Sequence, residues 1–469
     1  MVKVSKIVGC SGTYIAYVLI AMYAISCGQN QPGGEVVRQN SAGDSIMSLI
    51  EAGRSQNNNL EFRRQSLQKA SDAVLKIKID SIRLAYVSRL SLAYSNIGDS
   101  LNFRKANKTA IELAQETADT LVLAEAYWDL AYFYSGLAVK DSAFYYYLKA
   151  HEQFNAIQDD YHAARMLYNM AVEQASVKDY TGSEITTINA IELLKPLKKN
   201  KERFNCYNNL GSITKELHDF ERAIDYYQIA LSYAEKLPDA ESSVNNVQNN
   251  IGNVYKEQGL YSEAILYYQK VLNSDSLLYK NPKSFAISLD NIAYSRLRNN
   301  NTENVRRDLE KALAISDSIH DFSGLAVSSY NLAEFHLWNK DTLSARSYAY
   351  QAKNYAQQSS NNKRLLETLA LITKLDPGNA GALTADYIAL NDSLQQAERQ
   401  IRNKFERIRF ETDEVVAQNQ LLARQRLLWI GIAAGLLLLA ISIFTIIDQR
   451  VKNQKLRFQQ QQQEANQEI

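Results

Sequence analysis

Proline, histidine and cysteine are all scarce: five, five and three in 469 residues. Three cysteines cannot build a disulfide framework. With so little proline, long stretches are free of the residue that breaks helices. Neither charge sign dominates, since 52 Lys and Arg stand against 51 Asp and Glu for a formal charge of +1. No block of like charge occurs, so the chain lacks the electrostatic footprint of a nucleic-acid binder. The histidines (His151, His162, His218, His320, His336) are scattered. No phosphate-binding Walker loop, dinucleotide glycine fingerprint or zincin histidine pair is present. No catalytic residue, metal site or cofactor is indicated, and the chain reads as a non-enzyme.

What the chain has instead is periodicity. A small residue recurs at Ala93, Ala131, Ala171, Gly211, Gly252, Ala293 and Ala333, at spacings of 38, 40, 40, 41, 41 and 40. A second column runs in step through Ala106, Ala143, Ser183, Ala223, Ala264, Val305 and Ala345, and a third through Ala150, Ala190, Ala230, Val271, Ala312 and Ala352. Between these two lies a largely aromatic column with Tyr147, Tyr227 and Tyr268. Such phase-locked periodicity specifies a stacked repeat array. Within a copy, the first small residue sits mid-way along one helical pattern. The other two lie two turns apart on a second helix. Small side chains there let paired helices approach closely, and the tyrosines fill the gaps between units.

Leu210, Gly211, Ala223, Tyr227 and Ala230, with Ile251, Gly252, Tyr255, Gly259, Ala264 and Tyr268, resemble the tetratricopeptide repeat position by position. The resemblance implies an all-α, right-handed superhelix of about seven helix pairs plus caps. Because the period exceeds the usual ~34 residues of that repeat, both helices should be longer by most of a turn. The array is expected over 82–357, behind a linker and capping helices over 28–81. In the latter, 29–40 reads as Gly/Pro/Gln-rich linker and 44–52 and 60–79 as helices. A degenerate repeat follows at 358–379, stopped by Asp376-Pro377-Gly378.

Both ends carry membrane signals. Lys3 and Lys6 precede an uncharged run from Ile7 to Ile25, as in a signal peptide over 1–27. Ala24-Ile25-Ser26-Cys27 resembles a lipobox, which implies lipidation at Cys27; an uncleaved anchor or ordinary cleavage is the alternative. Cys10 lies inside the hydrophobic run. At the other end, Leu427 to Ile447 is free of charge and long enough to cross a bilayer core, with Trp429 where an interfacial aromatic belongs. The N-terminal signal would place the array outside the cytoplasm and the tail, 448–469, inside it. Between array and span, 380–426 reads as one long helix. Tyr387, Leu394, Ile401, Ile408, Val415 and Leu422 form a heptad column, while the partner row keeps Leu390 and Ala397 and loses Lys404 and Glu411. Two uses fit this half-seam: a helix lying along the solenoid, or a homodimeric coil through 387–422.

One polar column precedes the first small residue: Asp129, Asn169, Asn209, Asn250, Asn291, Asn331. An amide both donates and accepts, which suits the backbone of an extended peptide. Peptide-binding tetratricopeptide arrays use such a ladder. The alternative is that each amide bonds to the neighbouring helix and stiffens the stack. Flanking positions vary and would tune selectivity, among them Tyr168, Asn208, Asn249 and Tyr294. Glu216-Leu217-His218-Asp219 copies the letters around a histidine-kinase phosphoacceptor, but it falls at the end of a repeat helix and no ATP-binding glycine boxes follow. Cys206 reads as a buried small hydrophobe.

The order of segments is similar to the sensor halves of bacterial tetratricopeptide histidine kinases and membrane-bound LuxR-type regulators. Arg402–Asp413 looks like their juxtamembrane helix, and Leu456-Arg457-Phe458 with Gln459–Gln463 like the lead-in to their kinase helix. The resemblance implies a membrane-anchored array that binds a peptide or protein and passes a signal. Two alternatives stand beside it: the front part of a two-component kinase whose catalytic domain is supplied separately, and a passive scaffold lipoprotein.

Overall fold

The protein is described by a computed structural model covering residues 36–273 and 277–467. The signal segment with Cys10 and Cys27, and the linker as far as Glu35, lie outside the described residues. Among the described residues every regular element is a helix. They run α1 (Val36–Arg54), α2 (Leu60–Val74), α3 (Asp80–Asn96), α4 (Ser100–Glu116), α5 (Thr120–Gly136), α6 (Lys140–Ala156), α7 (Asp160–Ser176), α8 (Tyr180–Leu194), α9 (Asn200–Glu216) and α10 (Phe220–Ala234). Then come α11 (Ala240–Glu257), α12 (Tyr261–Leu272), the single turn α13 (Leu277–Lys280), α14 (Pro282–Arg298), α15 (Val305–Ser318), α16 (Phe322–Trp338), α17 (Thr342–Gln358) and α18 (Asn362–Leu375). A 3₁₀ turn at Pro377–Asn379 leads into α19 (Ala380–Gln467). Successive helices pack as antiparallel pairs in a repeat superhelix. The chain divides into two compact units, one ending at Phe133 and one beginning at Tyr134.

The long period is explained by helix length. Most helices of the array have 17 residues, and most connections, within and between pairs, are three residues long. Most of these connections solve the same problem in the same way. The middle residue turns left-handed, as at Ala118, Gln158, Lys178, His320 and Lys340, with Gly98 and Gly259 in the same role. The next residue is often an Asp or Asn that caps the following helix. Asp99 Oδ1 accepts from the amide of Asn102 at 3.1 Å, and Asp179 Oδ1 from that of Gly182 at 3.0 Å. Side-chain acceptors at this position satisfy backbone donors that have no partner within the helix. His218, at φ 60°, is one of the left-handed turn residues and Asp219 the cap after it. The kinase-like letters around it are therefore turn chemistry.

The small-residue columns are the packing seam. Ala171, Ala293 and Ala333 of the first column are fully buried, as are Ala143, Ser183, Ala223, Ala264, Val305 and Ala345 of the second. Gly211 and Gly252 show why size matters. A Cβ on Gly211 would lie 2.7 Å from the ring of Tyr227, and one on Gly252 would lie 2.6 Å from that of Tyr268. Both tyrosines are completely buried. Elsewhere in this unit the first-column residue is alanine, and the corresponding second-helix residue is smaller: Thr187, Leu309 or Ala349.

Several element boundaries differ from those read in the sequence, among them the end of α2, which stops at Val74 and leaves 75–79 as a connection. Helix α1 starts at Val36, so 36–40 is helical; the breakers Pro32, Gly33 and Gly34 end just before it. Helix α19 is continuous through both stem and apolar stretch. Within it, Leu421–Gln462 is long and apolar enough to cross a membrane, and none of it is buried. The earlier part is not free. Leu383, with Tyr387 and Leu390, packs in the core cluster formed by α16, α17 and α18. Further along, Phe405 is buried at 0 % exposure against Phe144 of α6.

Candidate functional site

The polar ladder lies on the first helix of each repeat. In the second unit, Asn250 Nδ2 donates to Asn208 Oδ1 at 3.1 Å, Asn291 Nδ2 to Asn249 Oδ1 at 3.2 Å, and Asn331 Nδ2 to Asp290 Oδ1 at 3.3 Å. The rule is common to all three. Each ladder amide donates to the flanking column of the preceding repeat, so the two columns form one interlocking row. Where that flanking residue is Tyr168, the rule fails, and Asn209 Nδ2 turns instead to Thr187 Oγ1 at 2.9 Å on α8. These donors brace neighbouring helices. Tyr168 and Asn169 line a separate cleft of about 350 Å³ with Tyr161, Glu202 and Cys206. Burial pushes the Tyr168 hydroxyl and the Cys206 thiol each up to about 12. In the first unit, Asp129 lines a cleft of about 220 Å³ with Ser88, Asn107 and Trp128. Burial, and then the charge of Glu125, push its carboxyl up to about 7.

The ladder opens onto a larger feature. Helices α9, α11, α14, α16 and α18 converge on a cleft of about 660 Å³ that Asn291, Tyr294 and Asn331 line, and a neighbouring cleft of about 350 Å³ shares its Lys256, Asn291 and Arg364. Lysine and arginine concentrate there. Lys215 is paired with Glu216 at 2.5 Å and with Glu257 at 2.8 Å. Burial works against its charge, but the two carboxylates prevail and its pKa is raised. Lys256 differs. Its Nζ donates to the Asn291 amide oxygen at 2.8 Å and lies 5.9 Å from the centre of the Tyr294 ring. Burial holds its pKa down to about 8; Glu257 opposes that shift, while Arg364, Lys215 and Lys363 add to it. Arg364 sits 4.4 Å over the Tyr330 ring and pairs with Glu367 at 2.8 Å. Asp290 is buried on the same wall, accepts from Ser328 Oγ at 2.7 Å, and is pushed up to about 7 by burial.

A buried ammonium hydrogen-bonded to an amide and facing a ring, its charge favoured by Glu257 and opposed by Arg364, Lys215 and Lys363, can take a further anion as partner. The cleft also offers aromatic faces at Tyr294 and Tyr330. It has the makings of a site for a chain carrying a carboxylate.

Residues 202–276 match the tetratricopeptide repeat family. The matched tetratricopeptide segment includes α9 to α12, and so the wall of the cleft that carries Lys215 and Lys256. No curated protein matches the sequence. Solved structures with the same fold include the apo form of the quorum sensor NprR from B. thuringiensis, 13 % identical, covering 79 % of this chain and 98 % of that one with a TM-score of 0.52. They also include aspartyl phosphate phosphatase F from Bacillus subtilis, 16 % identical, covering 79 % and 94 % with a TM-score of 0.50. At these identities the likeness is one of fold: a tetratricopeptide-like helical array.

Sequence reasoning found Asn291, Tyr294 and Asn331, which the fold brings to one cleft, but passed over the cations. Lys215 and Lys256 occupy equivalent repeat positions, a signal that was available. Lys363 and Arg364 come from the degenerate repeat, and only the curvature of the stack brings them to the same place.

Proposed function

We propose that this protein is a membrane-anchored receptor whose array binds an extended peptide or protein segment outside the cytoplasm, with an acidic group of the ligand seated at Lys256. The observation that carries this reading is the cleft itself, where the Lys256 ammonium, hydrogen-bonded to an amide, lies with Lys363, Arg364 and the rings of Tyr294 and Tyr330. Helical arrays of this fold serve as protein-binding surfaces, and the neighbour NprR is a quorum sensor by its own description. Both support a sensor role here. Residues 427–447 would cross the membrane, the array would lie on the periplasmic side of a bacterial membrane, and the tail would be cytoplasmic. No catalytic role is assigned to the chain. Any output would come from what the tail engages.

Fluorescence polarisation of the full chain in nanodiscs tests the reading, using a labelled pool of random decapeptides that end either in a free carboxylate or in an amide. The carboxylate pool should bind and the amide pool should bind at least about 10-fold more weakly, the factor that ~1.4 kcal/mol represents. Lys256→Met should remove the preference. Affinity should also fall as the pH rises through about 8, where Lys256 loses its proton. Equal binding of the two pools, or binding unchanged in Lys256→Met, would dismiss the site.

A further inference from the structure

Helix α19 is anchored to its own array at two places. The first is at its start, where Leu383 packs into the cluster that includes Leu365, Leu369 and Ile372 of α18. The second lies about 33 Å further along, taking 1.5 Å per residue from Leu383 to Phe405. There the Phe405 ring stacks on Phe144 with centroids 4.3 Å apart and planes at 18°. Polar contacts surround the stack. Lys404 Nζ reaches Asp141 Oδ2 at 2.6 Å, Glu398 Oε1 meets Lys178 Nζ at 2.8 Å, and Arg409 Nη2 donates to Thr186 Oγ1 at 2.9 Å. The second anchor therefore grips α6, α8 and the turn before α8. In chain order, the helices that build the Lys256 cleft lie between the anchors, with α18 belonging to both.

The covered stripe has a pattern of its own. Asn391, Leu394, Glu398, Ile401, Phe405, Ile408 and Thr412 are buried or half-buried, and they alternate steps of three and four residues without a slip. A strict seven-residue repeat is what two helices supercoiling around each other require. A straight helix drifts away from it, and a single docking site does not demand it. The column also continues past the array, where Leu422 is half exposed. The grip on α6 and α8 is otherwise mostly ion pairs open to solvent, which are individually weak. Phe405 is the one apolar side chain of the stripe that is fully buried.

We propose that residues 394–412 are a releasable latch, and that the stripe they free is the seam on which the stem of a second copy of this chain pairs. A rigid helix of fixed length spans a stack whose pitch can change. Any change in the distance between α18 and α6 must then be met by release at the weaker anchor. The array and a paired stem compete for the same side chains, so the chain has two exclusive states. The latch can be tested without any ligand for the cleft.

The test uses the full chain in nanodiscs of phosphatidylethanolamine and phosphatidylglycerol, with Cys10 and Cys27 changed to serine and Ile401→Cys as reporter. Two chains per disc are treated with a short bis-maleimide. Crosslinking between copies should be low in this parent. It should rise at least about five-fold in Phe405→Ala and in Asp141→Lys. The exchanged pair Asp141→Lys with Lys404→Asp should return the yield to the parent level, because it restores the ion pair with its signs reversed. That pair also guards against a Phe405→Ala variant that fails to fold. Yields that do not rise in Asp141→Lys, or that stay high in the exchanged pair, would overturn the latch. So would amide exchange over 394–412 in the parent as fast as in Phe405→Ala.

Discussion

Gly211 and Tyr227 share one space. An alanine at Gly211 would gain about 1 kcal/mol of helix propensity, yet its methyl would stand 2.7 Å from a ring that has no room to retreat. Overpacking of this kind costs about 1–3 kcal/mol, so Gly211→Ala should lower stability or at best leave it unchanged. Adding Tyr227→Leu should relieve the clash, as the Ala293 and Leu309 pairing already does. Thermal melts of the three variants check this. Asp129 gives a second prediction at this scale. Its carboxyl is pushed up to about 7 against 3.8 when unfolded. Its contribution is therefore complete below pH 3.8 and is lost as the pH rises through 7. Asp129→Asn should match the parent at pH 4 and exceed it at pH 8. The gain is a few kcal/mol at most, at about 1.4 kcal/mol per pKa unit, and urea melts at the two pH values read it. The glycine, alanine and tyrosine columns were legible because packing repeats. The fate of the ladder amides was not, because an asparagine reads the same whether it meets a ligand or the next helix.

At the scale of elements, the three-residue turns do much of the folding work. Each left-handed residue ends one helix and each Asp or Asn after it starts the next. Asp99→Ala would remove the acceptor 3.1 Å from the Asn102 amide and should cost ~1 kcal/mol, with increased amide exchange confined to the first turn of α4. The same substitution at a non-capping surface position should cost nothing measurable. The long helix was legible up to a point. Its heptad column is half-buried at Tyr387, Leu394, Ile401 and Ile408, but the second row was placed on Leu390, Ala397, Lys404 and Glu411. Past Leu390, the buried row lies one residue further on, at Glu398, Phe405 and Thr412. With Lys404 the seam looked broken. With Phe405 it has its strongest contact, which depends on Phe144, more than 250 positions earlier in the chain.

For the molecule as a whole, a 40-residue period led directly to a helical array, because small residues in phase along two helical patterns per period let stacked helix pairs approach closely. The cleft is another matter. Its cations come from α9, α11 and α18, and the path of the stack brings Lys363 and Arg364 towards Lys256. Local pattern carries no information about curvature. A site made this way carries a stability cost, since burying Lys256 holds its pKa near 8. Lys256→Met should stabilise the array by about 1–3 kcal/mol, as uncharged replacements of buried charges often do, while weakening any ligand that depends on it.

The most direct measurement places a photo-crosslinking benzophenone at Val327, inside the cleft, and in a second protein at Leu266, on an exposed second helix. A biotinylated carboxylate-ended peptide pool should be captured at position 327, not at 266, and capture should disappear in Lys256→Met. Equal capture at the two positions, or capture at 327 that survives the loss of Lys256, would contradict the account.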